Sequence, residues 1–515
     1  MNHLDAVELS LFAQRVNAIC EEMGAQLKHS AFSPNIRDRL DYSCAVFDAA
    51  GGLTAQAAHI PVHLGSMAYA MKYIVSAFKW FPGDQVILND PYLGGTHLPD
   101  VTLVAPVFVD AVLCGFVANR AHYADIGSVS PGSMPLTTSL EDEGMLLSPQ
   151  KLVDKGELNQ SLIDAIADQT RSRQDALGDI NAQVGCNRRG IDRLQALLQK
   201  MTPARYQQAV AALNDYAETL AYGMISRLKK GTYAAQDVME DDGQGLRDIP
   251  IKLTLTIDQA GVRADFSGTA DQVAGNINCP FSVTVAAVWY VLRCLMPAGT
   301  PACAGCFRPI SIDAPEGSLV NARYPAAVAA GNVETSSRIV DVVLLALSRA
   351  ASELIPALSQ GTMNNIAFGA SEAGEQWGYY ETIGGGMGAS YGNHGLDAVQ
   401  SHMTNTRNTP IEVLEMRYPL RISRYGIRRE SGGRGRNRGG DGLIREFEFT
   451  RPGVCTLLTE RRRHTVPGLN GGGCGAAGVN RLNQQELPGK CTFSLQVGDK
   501  VSMETPGGGA WGGEN

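Results

Sequence analysis

A chain of 515 residues, 44% apolar and 7% aromatic, carries more core material than one compact domain uses, so two or three domains are expected. Its formal charge of −8 excludes nucleic acid as the main partner, because phosphate contact is built on a surplus of Lys and Arg. The longest apolar run, residues 283–296, is broken by Arg293, so no membrane span is expected.

The chain opens MNHLDAVELSLF, with acids where a secretory leader carries bases, and its eleven cysteines lack regular spacing. Both features read as a reduced, cytoplasmic protein. Residues 4–28 place Leu9, Phe12, Val16, Ile19, Cys20, Met23 and Leu27 at helical spacing and predict an amphipathic helix. Residues 43–57, SCAVFDAAGGLTAQA, predict two short strands around a Gly-Gly turn. A helix over 67–80 and three strands, in VILND, VTLVAPVFVD and VLCGFVANRAH, come next. Residues 158–230 contain few breakers and predict a helical region.

From about 248 the pattern changes. IPIKLTLTIDQAGVRADFSG predicts a hairpin, VTVAAVWYVLRCLM a buried helix, and SSRIVDVVLLALSRA another helix that starts just after GNVET. Beyond 300, glycine-rich turns alternate with short apolar segments. The fold class is therefore α+β: a mixed multi-domain protein with short strands, a helical middle region and a Gly-rich, irregular C-terminal half. The expected divisions are an α/β domain over 1–245, a central α+β domain over 246–415, and a β-rich, Gly-rich region over 416–515. There is no internal repeat.

The chemistry concentrates in two loops flanking the predicted strands, NDPYLGGTHLPD at 89–100 and RAHYAD at 120–125. His97 and Asp100 lie three residues apart in a Pro-containing turn, so both can face one ion. His122 follows one strand hairpin later, and Asp41, before another strand, can add a second carboxylate. Three or four nitrogen and oxygen ligands from separate loops suit a divalent cation such as zinc, manganese or iron, with room left for water. An Asp or His in a turn more often caps a backbone group. Spacing alone leaves the two readings evenly matched.

The string NDPYLGGTHLPDVTLVAPVF closely resembles the signature region of the hydantoinase B/oxoprolinase family, which includes a large subunit of acetone carboxylase. The resemblance runs in order through IPVHLGSM, RAHYADIGSVSPGSMP, GNVETSSRIVD, QGTMNNIAFG, YYETIGGGMGA, HMTNTRNTPIEVLEMRYPLR and SGGRGRNRGGDG, nearly the whole chain. It implies that Asp41, His97, Asp100 and His122 hold the metal. Tyr123 departs from the family pattern, in which many relatives carry a second histidine, so His122 stands alone in its loop.

The resemblance also implies a division of labour. An ATP-binding partner of the hydantoinase A type phosphorylates the carbonyl oxygen of a small cyclic amide, and the present type of chain completes hydrolysis, with Asp125 or a neighbouring carboxylate as general base. A hetero-oligomer is expected. The alternative is a subunit of an ATP-dependent ketone carboxylase, and a non-catalytic assembly role is the third class. The chain contains no GxxxxGK[ST], and GGRGRNRGG lacks the flanking strand and helix of a phosphate cradle. That loop is expected at the surface or a subunit contact, with steering of a phosphorylated intermediate by Arg434, Arg436 and Arg438 the lesser reading. Cys303 and Cys306 have CxxC spacing without a second pair, which favours buried thiols over zinc. His59 and His63 suit either donors behind a ligand or packing. Asn332, Glu334, Glu381 and His402 are expected to line the same cleft, and the start of the helix after GNVET would suit an anion.

Overall fold

The computed structural model describes residues 4–57, 59–372 and 375–514. Helix α1 (Ala6–Ser30) begins with a reciprocal cap, in which Asp5 accepts from the Glu8 N–H and Glu8 reaches back to the Asp5 N–H. It buries Phe12, Val16, Ile19, Met23 and Leu27. After the short α2 (Pro34–Arg37), the chain enters a seven-stranded antiparallel sheet. Its members are β1 (Tyr42–Asp48), β2 (Leu53–Gln56), β3 (Gln85–Leu88), β4 (Asp100–Val109), β5 (Val112–His122), β6 (Gln150–Asp154) and β7 (Glu157–Leu158), in the order β2-β1-β5-β4-β3-β6-β7.

Period-2 alternation sorts this sheet's side chains between two cores. Cys44, Val46, Val101 and Leu103 join the main core with α1, whereas Ala45, Phe47, Val104 and Phe116 pack under α3 (His63–Ala77). The short α4 (Leu140–Glu143) precedes β6. The expected helical region is α5 (Gln160–Asp168), α6 (Arg173–Lys200) and α7 (Pro203–Ile225), and α6 crosses β4 and β5.

A four-stranded sheet follows, β8 (Gly231–Asp241), β9 (Arg247–Ile257), β10 (Val262–Asp265) and β11 (Ile310–Asp313). The expected hairpin is the antiparallel β9–β10 pair. Helix α8 (Phe281–Leu295) packs on α3 and on α9 (Ser336–Ala350), which in turn covers β8 and β9. GNVET is not loop leading into α9. Residues Gly331–Thr335 form a turn of π-helix wound directly into it.

The last third builds two further sheets. One contains β12 (Asn365–Glu372), β13 (Glu375–Thr382), β16 (Gly453–Leu458) and β19 (Lys490–Leu495). The other contains β14 (Leu420–Arg428), β15 (Gly442–Phe449), β17 (Val479–Leu482), β18 (Gln485–Leu487) and β20 (Lys500–Glu504). α10 (Ile411–Arg417) precedes β14. The glycine-rich segments around 384–395, 432–440 and 507–509 press backbone against backbone. A Cβ on Gly388 would lie 1.8 Å from the Ala357 carbonyl oxygen, and one on Gly440 would lie 1.9 Å from that of Leu396. Arg434 and Arg436, between these glycines in the chain, are exposed.

A largely buried ionic network ties the last third to β8 and α9: Glu460 accepts from Arg338 at 3.1 Å and Lys490 at 2.5 Å, while Arg461 and Arg338 share Asp237 and Asp341. No helix among the described residues is long and apolar enough to cross a membrane.

Candidate metal centre

Strand register creates the site. Asp100 opens β4, His122 closes β5, and the two are direct cross-strand partners. The loop carrying His97 is held over the strand ends by its own polar groups. Asp90 accepts from the Tyr92 N–H, and the Asn89 amide donates to the carbonyls of Leu98 and Met145. Gly94 turns this loop with a φ of +95°, and a Cβ there would stand 2.4 Å from the Ala70 Cα of α3. Only glycine serves at that position.

His97, Asp100 and His122 are buried, and their ligand atoms lie within 4.8 Å of one another. His97 Nε2 is 3.2 Å from His122 Nδ1 and 3.4 Å from Asp100 Oδ2. His122 Nδ1 is 3.2 Å from Asp100 Oδ1. Ligands about 2.0 Å from a tetrahedral zinc-type ion are separated by about 3.3 Å, so these spacings suit one cation. The proton count points the same way. His97 Nδ1 lies 3.3 Å from the Ala329 carbonyl; a proton donated there leaves Nε2 as a lone pair facing the cluster. A single proton on His122 Nδ1 cannot satisfy both Asp100 and His97, and His122 Nε2 is buried with no partner among the described residues. A cation bound by His97 Nε2, His122 Nδ1 and Asp100 removes the conflict over that proton.

Other groups fix these three. His63 bridges the Ser43 hydroxyl at 3.0 Å and Asp100 Oδ2 at 3.3 Å, and the Thr96 hydroxyl donates to the same oxygen. Tyr380 stacks on the His122 ring at 5.0 Å and 19°, and its hydroxyl donates to Asn365. Burial pushes the Asp100 carboxyl up, but His97, His63 and His122 together outweigh it and hold the group well below the usual range. Burial draws His122 down, against the pull of Asp100 and Asp41, which favours the neutral ring a metal requires.

Asp41 lines the same small cavity, with the Arg39 guanidinium 3.8 Å away, but it stands outside the tight trio. Asp125 is not brought to the cluster. Its carboxylate accepts from the Arg171 and Gly127 N–H groups, the Arg171 guanidinium and the Ser133 hydroxyl, and so ties the loop after His122 to the start of α6. Tyr123 donates to Gln183 at 2.7 Å and contributes no ligand. His59 accepts from the Cys44 N–H and faces a larger cavity of about 540 Å³ instead. His402 lines a third cavity of about 400 Å³.

Of the residues expected in the cleft, Asn332 lines the metal cavity. Glu334 sits behind it, accepting from the Met363 N–H and the Asn365 amide, with burial raising its carboxyl to about 7. Glu381 faces the other way and pairs with Arg445 at 2.6 Å. Tyr380, its neighbour in β13, is the residue that meets His122, and sequence reasoning does not single it out.

The whole architecture recurs in solved proteins. ATP-dependent caprolactamase from Pseudomonas jessenii superposes with a TM-score of 0.92 at 26% identity, over 100% of this chain and 92% of that one. Acetone carboxylase in its nucleotide-free state superposes with a TM-score of 0.87 at 17% identity, over 97% and 74%, a likeness of fold alone. The chain belongs to the hydantoinase B/oxoprolinase family, whose model matches residues 5–514. Among its relatives, 5-oxoprolinase 1 of Arabidopsis thaliana is 39% identical over 544 residues, which cover 99% of this chain and 42% of the plant protein. The B-type component of a putative D-/L-hydantoinase from a Pseudomonas species is 30% identical over 538 residues, covering 99% and 90%. The chain therefore spans about two-fifths of the plant relative's length and nearly all of the bacterial one's.

Proposed function

We propose that this chain opens the ring of a small cyclic amide (a hydantoin, oxoproline or lactam) in an ATP-dependent hydrolysis. The observation that carries the reading is the convergence of His97, Asp100 and His122 at cation spacing in a chain of this family. Those three residues, with Asp41 beside them, would hold a divalent zinc, manganese or iron ion. When bound, such an ion supplies a Lewis acid that makes a neighbouring water a better nucleophile near neutral pH. The protein's own residues set the geometry: the Ala329 carbonyl orients His97, His63 and Thr96 orient Asp100, and Tyr380 fixes the plane of His122.

An amide carbonyl is a weak electrophile because nitrogen shares its lone pair with it. Phosphorylation of the carbonyl oxygen removes that protection before water attacks. We assign the phosphorylation to an ATP-binding partner of the hydantoinase A type, in a cytoplasmic hetero-oligomer. Asp125, engaged by Arg171, serves the loop after His122 in this reading and not proton transfer. The ketone carboxylase alternative has the 17% likeness to acetone carboxylase behind it, which speaks for the fold only.

The test is to purify the chain with its partner, measure metal by elemental analysis, and follow ADP and ring-opened product across 5-oxoproline, hydantoin and caprolactam. Metal at one ion per chain and ATP-coupled opening are expected. A metal-free preparation with full activity would overturn the reading.

A further inference from the structure

We propose that Asn332 is a catalytic residue whose side-chain amide holds the attacking water inside the metal cavity; this rests on the hydrolytic reading above. Three observations place it there. Asn332 is 3% exposed and lines the cavity that also contains His97, Asp100 and His122. Among the described residues its side chain makes no hydrogen bond, and Oδ1 is fully buried. The cavity measures about 20 Å³, room for a single water, which needs polar partners to be stable there.

The backbone around Asn332 is rigid, so the free amide is no product of a loose loop. It sits in the π-helical turn, a rare arrangement that is frequent at functional sites. Gly331 is pressed so closely on its neighbour that a Cβ would lie 1.8 Å from the Asn278 carbonyl oxygen. The Gly331 N–H donates to the Asn276 and Val328 carbonyls, the Asn332 N–H donates to Val328, and the Asn332 carbonyl accepts from the Ser336 hydroxyl at 2.5 Å. Of the polar side chains nearby, Thr335 donates to the Ile277 carbonyl, Ser337 donates to the Val333 carbonyl, and Glu334 accepts at Oε1 from Met363 and Asn365, while its Oε2 has no partner among the described residues. A buried amide kept without a partner, in a turn whose other polar side chains all have one, is a group waiting for a ligand.

The occupant that fits is water held by the side-chain amide, with an oxygen lone pair left for the substrate. In ring opening of the phosphorylated amide the water oxygen forms the new bond to the carbonyl carbon, the ring carbon–nitrogen bond breaks, and the acyl phosphate left behind is hydrolysed by a second water to carboxylate and inorganic phosphate. The water protons end on the amine and in solvent. Asn332 neither gains nor loses a proton, so its contribution is orientation.

The test compares wild type, Asn332→Ala and the isosteric Asn332→Leu, each with the ATP-binding partner and whichever of 5-oxoproline, hydantoin and caprolactam wild type opens fastest. Both variants are expected to lose about 10²-fold in kcat, the effect of removing one well-placed hydrogen-bonding group from a reacting centre. KM should change less than about threefold, and metal content should match wild type. The second readout needs no activity: the melting temperature of each metal-free variant should equal or exceed that of wild type, because no internal hydrogen bond is lost. Wild-type kcat in both variants overturns the proposal, as does a fall of several degrees in both melting temperatures, which would mark Asn332 as structural. Wild type lacking metal or product would instead remove the hydrolytic reading, and this proposal with it.

Discussion

Glu143 offers a test of how the site is held that does not require a substrate. It is fully buried in α4, and its Oε1 accepts from the N–H groups of Val328 at 2.8 Å and Ala329 at 2.7 Å. The Ala329 carbonyl is the partner of His97 Nδ1. Burial lifts this carboxyl from an ordinary value of 4.5 to about 8, the two backbone donors offsetting only part of the penalty. Below about pH 4.5 both folded and unfolded states hold the proton. Between about 4.5 and 8 only the folded state does, so stability falls as pH rises through that window. The loss is about 1.4 kcal/mol for each pH unit between the two values, or about 5 kcal/mol in all. Glu143→Gln keeps the acceptor oxygen and removes the titration. Unfolding of the metal-free proteins by urea should therefore show the Gln variant gaining on wild type from pH 5 to pH 8.5, with the difference levelling above that. Glu143→Ala should lose about 2–6 kcal/mol relative to Glu143→Gln at all pH values, since two buried N–H donors are left without acceptors. It should also weaken metal binding by about 10–100-fold through the loosened Ala329–His97 contact. Parallel pH curves for wild type and Glu143→Gln would refute the reasoning.

Three further outcomes are expected. His97→Ala and His122→Ala should each lose the metal by elemental analysis while far-ultraviolet circular dichroism stays that of wild type, because both side chains sit at the ends of a large sheet. Asp100→Ala should separate the half-reactions, with ADP formed slowly or in one burst by the partnered enzyme and no ring-opened product; normal one-to-one coupling would place bond breaking elsewhere. Glu460→Ala should cost about 3–5 kcal/mol in urea unfolding, since Lys490 and Arg338 lose a buried counter-charge.

Much of the fold was legible because local pattern and final environment agree. The spacing of Phe12, Val16, Ile19, Met23 and Leu27 is a helical stripe, and those residues are buried on α1. The strands in VTLVAPVFVD and VLCGFVANRAH pair as expected in β4 and β5. What composition could not convey is the use of glycine in the last third. SGGRGRNRGGDG reads as a surface loop or a subunit contact, yet Gly432 and Gly440 are there because backbones approach within contact that no side chain permits. Such close approach joins segments more than a hundred residues apart, as between Gly388 and Gly508, so no local window contains it. The π-turn at Gly331–Thr335 was hidden for the same reason, since contacts with Asn276 and Asn278 shape it.

The site divides along a similar line. His97, Asp100 and His122 could be read because a hairpin brings its two strand ends together, and register does the rest. Of the groups that hold them, His63 and Thr96 lie near in the chain, and His63 was one of the expected donors, whereas Ala329, Glu143 and Tyr380 come from far along it and needed the structure. Ala329 acts through its backbone, which leaves no trace in residue type, and Glu143 acts on that backbone from a separate helix. Tyr380 and Glu381 show the sharper difficulty. In a strand, adjacent side chains point to opposite faces, so a motif such as YYETIGGG names the right segment without naming the right face. The charged residue drew attention, but Glu381 is spent on Arg445 and the hydroxyl of Tyr379. The aromatic one reaches the centre. Asn332 inverts that lesson: in GNVET the carboxylate of Glu334 is already bonded, and the uncharged amide two residues earlier is the group left free. In this protein the residue to follow is the buried polar group without a partner, which neither charge nor motif identifies.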